Sequence, residues 1–134
     1  MARVPIISIG DVLIASVQED LNDRDAANLQ EELNELLEKT GARGVLLDVS
    51  VLQLIDSFLG RMLRDIATGA RLLGAHTVVV GIQPAVAVTL VELGLELTGV
   101  RTALNSDRGL RLLQILMARE RSGIWSHNER KRTH

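Results

Sequence analysis

Gly44-Val45-Leu46-Leu47-Asp48-Val49 and, shortly after it, Leu54-Ile55-Asp56-Ser57-Phe58-Leu59-Gly60 decide how this chain folds. The first run is apolar up to Asp48, as a buried strand is. The second opens a helical pattern near Ser57, continued by an apolar stripe of Leu59, Met62, Leu63, Ile66, Ala70 and Leu73. A strand that hands over to a helix is the repeating step of an α/β fold. It also places a serine at a helix mouth, where unpaired backbone N–H groups and the helix dipole favour anions.

The same alternation extends in both directions. Upstream, Val4 to Ile9 and Val12 to Val17 are β-branched and apolar around Gly10-Asp11, which reads as a β-hairpin. Asn22 or Asp23 then caps a helix whose Ala26, Leu29, Leu33, Leu36 and Leu37 recur at helical spacing, until Gly41 and Gly44 end it. Downstream, Gly74 closes the second helix and Thr77 to Val80 forms another buried strand. Pro84 suits the first position of a short helix that ends near Leu93-Gly94. Leu95 to Ala103 has room for one short strand around Val100 to Ala103. A last helix starts at Asn105-Ser106-Asp107, turns Leu110, Leu113 and Met117 inward and stops at Gly123. The expectation is a mainly parallel sheet with an N-terminal antiparallel hairpin and about four helices.

Composition sets the limits. The 134 residues fit one domain, here residues 1–118, followed by a basic tail over 119–134 that is expected to be flexible. Aromatic residues make up 1% of the chain, so Leu, Val, Ile and Ala build the core and base stacking lacks its platforms. A net charge of -2 gives no basis for capturing nucleic acid over the whole surface. The absence of cysteine removes disulfides, thiolate catalysis and Cys-based zinc sites. The N-terminus lacks the apolar core of a signal peptide. Leu72 to Val91 carries no acid, Lys or Arg, yet its glycines, Pro84 and a change of period fit a strand followed by a helix better than a membrane span. A cytoplasmic protein is expected.

Ser57 has two readings. It can be the helix N-cap, the ordinary role of such a serine. Alternatively, Asp56 caps the same helix and leaves the Ser57 hydroxyl free near the surface. Asp48 ends an apolar strand, where ligand sites of open α/β sheets gather, but it can equally bond a neighbouring amide. Phe58 lies off the apolar stripe and is either a partner anchor or folded onto the first turn. Gly60 costs a helix up to ~1 kcal/mol relative to Ala, which close approach by a partner would explain. Arg61 belongs to the polar side. Nothing supports catalysis: there is no G-x-S-x-G elbow, and His76, His127 and His134 pair with no serine in sequence and lack metal-ligand spacing. No nucleotide or other cofactor motif is present.

The order of elements, the Asp48-bearing strand and the Ile55-Asp56-Ser57 junction resemble the STAS domain of anti-sigma-factor antagonists, over about Val4 to Leu116. Asp56-Ser57-Phe58 and Gly81-Ile82-Gln83-Pro84-Ala85-Val86-Ala87-Val88-Thr89-Leu90 are most similar to the RsbS-like subgroup of the bacterial stressosome. Val4-Pro5-Ile6 and Thr102-Ala103-Leu104 agree with it. The resemblance implies a non-enzymatic phosphorylatable scaffold. Ser57 would be the phosphorylated residue and Asp48 and Asp56 its environment, with Phe58, Leu59, Gly60 and Arg61 meeting the partner. It further implies an RsbT-type serine/threonine kinase, an RsbR-type paralogue and an RsbX-type phosphatase as partners in a large hetero-oligomer, and neither nucleic acid nor membrane. Ordinary antagonists carry small residues and glycine after the phosphoserine, whereas Phe58 and Leu59 stand here, which favours the stressosome subgroup. The alternative is a classical antagonist that binds an anti-sigma kinase and frees a sigma factor.

Overall fold

A computed structural model describes residues 4–94 and 100–133, with side chains described as far as Glu120. The readings of Met1 to Arg3, of residues 95–99 and of the tail side chains, His127 and His134 included, lie outside the described residues.

Five strands form one sheet in the order β1 (Ile6–Ile9), β2 (Val12–Ser16), β3 (Gly44–Asp48), β4 (His76–Val80), β5 (Val100–Ala103). β1 and β2 are the expected antiparallel hairpin, with Ile9 opposite Val12. The other pairings are parallel, and Ser16, Asp48 and Val80 align across them. Between the strands run α1 (Asp23–Thr40), α2 (Ser57–Leu72) and α3 (Pro84–Glu92), and α4 (Ser106–Thr133) follows β5.

Alternation along each strand produces two cores. Leu13, Ala15 and Val17 of the β2 segment, with Val45, Leu47 and Val79, face α1, α2 and α3. Val12, Leu46, Val78 and Val80 face α4 through Leu113 and Met117. Both strands expected to be buried, β3 and β4, are therefore covered on both faces. Gly109 lets α4 lie close to the sheet: a Cβ there would stand 2.5 Å from Val80 Cγ1 and 2.9 Å from Leu46 Cδ1.

The helix boundaries follow local chemistry. Asn22 caps α1 in a capping box with Asp25, and Gly41 closes the helix in the left-handed conformation. Pro84 stands in the first turn of α3, as its sequence position predicts. α4 departs from expectation, since it passes Gly123 and reaches Thr133. One glycine costs a helix only ~1 kcal/mol and no proline follows it, so Gly123 alone does not stop the turn. Among the described residues no helix is long and apolar enough to cross a membrane.

At the amino end of the parallel strands, α4 is fastened to the sheet. Glu120 Oε2 lies 2.6 Å from Arg43 Nη2 and 2.8 Å from His76 Nε2. The hydrogen bond from His76, followed by the bond and charge of Arg43, holds the Glu120 carboxyl below the usual glutamate range despite an opposing effect of burial.

Candidate functional site

The parallel arrangement brings the segment from β3 to α2 to the carboxyl end of the sheet, the face where open α/β sheets collect their sites. Pairing continues past the strand ends there, with Val17 N donating to Asp48 O at 2.8 Å and Val49 N to Val80 O at 3.0 Å. The loop between β3 and α2 is anchored by burying Leu52 and Ile55, 0% and 7% exposed.

Three neighbours hold this loop. The Asp48 carboxylate accepts from Ser50 N at 2.9 Å, so it takes the local bond open to it in sequence and shapes the turn. Gln83, ahead of α3, donates from Nε2 to Ser50 O at 2.7 Å. Glu19, between β2 and α1, accepts from Gln53 N at 3.0 Å. Gly81 completes the seat: its φ is +78°, and a Cβ there would stand 2.7 Å from Ser50 Cβ. Only glycine meets both demands without displacing the loop.

At the mouth of α2, Asp56 is the N-cap. Its backbone is extended, and Oδ1 accepts from Leu59 N at 2.8 Å. Ser57 is therefore the first helical residue, with no capping duty, and it is exposed. Its Oγ receives one long contact, from Arg61 Nη2 at 3.5 Å, one helical turn on. Of the two readings of Ser57, the geometry gives the cap to Asp56 and leaves the hydroxyl available.

The four residues after Ser57 divide differently from expectation. Arg61 is exposed, and Phe58 is half-buried against the main core. Leu59 and Gly60 are buried. Leu59 falls on the stripe that continues through Met62, Leu63 and Ile66, so it faces the sheet and offers no contact surface in the free chain. Exposed apolar side chains come instead from the preceding loop, where Val51 is 49% and Leu54 76% exposed. Nothing local in the sequence marks these two, or Gln83 and Glu19. A loop has no period to tell Leu54 from the buried Ile55, and a long-range clamp leaves no local trace.

Phe58, Met62 and Arg61 also line a cleft of about 230 Å³ between α1 and α2, with Ala26, Asp23 and Asp65 among its walls. Among the described residues no histidine accompanies Ser57: His76 begins β4 at the other end of the sheet and is engaged with Glu120. Among the described residues no group of acids and histidines is arranged to hold a metal ion.

Residues 3–106 match the STAS domain family. The fold is similar to that of RsbS from Moorella thermoacetica, solved with a serine replaced by glutamate. The two are 39% identical with a TM-score of 0.78, over 87% of this chain and 99% of the other. A component of a stressosome structure, that of a signal integration and transduction hub, is 40% identical with a TM-score of 0.75, over 84% of this chain and 98% of that one. In sequence, the RsbT co-antagonist protein RsbRD of Bacillus subtilis is 27% identical over 99 residues. That match covers 73% of this chain and 36% of RsbRD, so the chain spans about a third of the length of that relative. The unphosphorylated form of SpoIIAA shares the fold at 10% identity, with a TM-score of 0.65 over 81% of this chain and 95% of its own.

Proposed function

Because the chain belongs to the STAS domain family, we propose that it works as an RsbS-type scaffold whose phosphoacceptor is Ser57. In this reading it assembles with RsbR-type paralogues into a large hetero-oligomer and holds an RsbT-type serine/threonine kinase. The kinase leaves when Ser57 is phosphorylated, and an RsbX-type phosphatase resets the site. The chain itself performs no catalysis and works in the cytoplasm. The observation that carries the proposal is the division of labour at α2: Asp56 caps the helix, so the exposed Ser57 hydroxyl is free for another protein to modify.

The physics of release follows from what surrounds that hydroxyl. A phosphate adds about -1.5 to -2 charge near neutral pH. At the first turn of a helix that charge is favourable, so the fold tolerates it. Asp56 is next in sequence and the preceding loop exposes Leu54 and Val51, while Arg61 offers the hydroxyl one long contact from Nη2 at 3.5 Å. A partner that seals this surface must strip water from the phosphate, a cost of several kcal/mol per ion unless it supplies matching cations. Affinity falls while the fold stays.

Calorimetry with the cognate kinase tests this. Ser57→Asp is expected to keep the fold and weaken kinase binding, and Ser57→Ala to hold the kinase through incubation with ATP. Equal affinity of the unmodified chain and the Ser57→Asp variant would remove the switch from Ser57.

A further inference from the structure

We propose that Arg61 is the residue that receives the phosphate on Ser57, and that in doing so it carries the signal into the cleft between α1 and α2. This rests on Ser57 as the phosphoacceptor and adds how the modified state is held and where it is read.

Arg61 stands four residues after Ser57, the spacing that puts two side chains together on one face of a helix. Its Nη2 already lies 3.5 Å from Ser57 Oγ, a weak contact with a neutral hydroxyl. A phosphoryl group on that oxygen adds three acceptor oxygens and close to two negative charges. The contact then becomes an arginine–phosphate pair, the strong and directional class of hydrogen bond. The guanidinium is available for it, since Arg61 forms no ion pair among the described residues.

Backbone donors complete the seat. Asp56 takes Leu59 N through its side chain and Gly60 N through its carbonyl. The amides of Ser57 and Phe58, the first two of the helix, have no acceptor among the described residues. They and Arg61 oppose the repulsion from Asp56. The phosphate is thus retained against its own helix, which separates this device from one in which phosphorylation melts a segment.

The second half concerns the cleft. Unmodified, Arg61 helps to line it together with Asp23 of α1 and Asp65, Phe58 and Met62 of α2. Arg61 is paired with neither acid, so a phosphate that neutralises its guanidinium makes the cleft it lines more negative. Phosphorylation therefore alters the charge of the cleft as well as the crown around Ser57, and a partner that touches either surface senses it.

The test uses the full chain with phosphoserine built in at position 57 during synthesis, alone and combined with Arg61→Gln or Arg61→Lys. The charged groups beside the phosphate are Arg61 on α2 and Asp56 at its N-cap, and the cleft that Arg61 lines adds Asp23 of α1 and Asp65 of α2; the variants change only the first. In a phosphorus NMR titration the second phosphate ionisation is expected about half a unit lower with Arg61 present than in the Arg61→Gln variant, as an exposed charge-assisted pair gives. Arg61→Lys should restore part of that shift. The amide signals of Ala26, Ala27 and Gln30 should respond to phosphoserine in the chain with Arg61 and not in Arg61→Gln. Equal ionisation with and without Arg61 would overturn the pairing, and equal amide responses would overturn the relay. No kinase takes part, so failure of a kinase to modify Ser57 would count against the proposed function and leave these results standing.

Discussion

Replacing Asp56 and Ser57 by alanine, one at a time, asks which of the two holds α2. Asp56 Oδ1 accepts from the part-buried Leu59 N at 2.8 Å. Removing such a cap costs ~1 kcal/mol, within a range of about 0.5–2. An amide left half out of water adds to the upper side of that range. Ser57 Oγ has only the 3.5 Å contact from Arg61, and its side chain is exposed. Alanine is the better helix former, so Ser57→Ala should fall within about 0.5 kcal/mol of zero, on the stabilising side if anywhere. Asp56→Asn, which keeps a capping oxygen, should stand between the two. Urea unfolding followed by far-UV circular dichroism reads this directly, with an unchanged slope and a lower midpoint for Asp56→Ala. In a thermal scan the same variant should melt roughly 3–6 °C lower. A Ser57→Ala loss as large as that of Asp56→Ala would refute the reasoning, because Ser57 would then be the structural residue and its hydroxyl committed.

Leu54→Asp places a charge on a side chain that is 76% exposed, so stability should hold while kinase capture in a pull-down is lost; Leu59→Ala, at 7% exposure, should instead cost about 2–5 kcal/mol in urea unfolding. Gly109→Ala gains up to ~1 kcal/mol of helix propensity but drives a Cβ to 2.5 Å from Val80 Cγ1, so overpacking of about 1–3 kcal/mol should leave a net loss by the same assay. Glu120→Gln should be less stable than the parent at neutral pH, with the gap closing in acid. The carboxyl is lowered in the folded chain, chiefly by the His76 hydrogen bond, so the unfolded chain takes the proton first. The contribution is complete above the unfolded value of roughly 4.3 and is lost as pH falls through the lower folded one. Denaturation midpoints of both chains between pH 7 and pH 3 check it.

Much of this architecture is legible because glycines and caps bracket each run. Asn22 and Gly41 bound α1, and Pro84 opens α3, as local chemistry requires. The continuous apolarity of Val45 to Leu47 and of Val78 to Val80 announces strands covered on both faces, and residues of each enter both cores. The cap of α2 is only half readable, since Asp56 and Ser57 are both ordinary capping residues and the bond from Leu59 N to Asp56 Oδ1 decides between them. Three features are not legible in the same way. Gly123 is a stop signal in composition only, and α4 passes it. Val51 and Leu54 look no different from Leu52 and Ile55, because which loop residues turn inward depends on clamps by Glu19 and Gln83 from distant segments. Leu59 is placed at the partner surface by the resemblance alone, although the apolar stripe it begins assigns it to the core.

The most direct test of Ser57 as the switch is the mass of the chain after incubation with ATP and the RsbT-type kinase, with the modified residue located by fragmentation. One phosphate on Ser57, absent from Ser57→Ala and accompanied by release of the bound kinase, is the predicted result. A chain that binds the kinase and stays unmodified, or that carries its phosphate elsewhere, for instance on Ser50 or Thr68, with Ser57 intact, would contradict it.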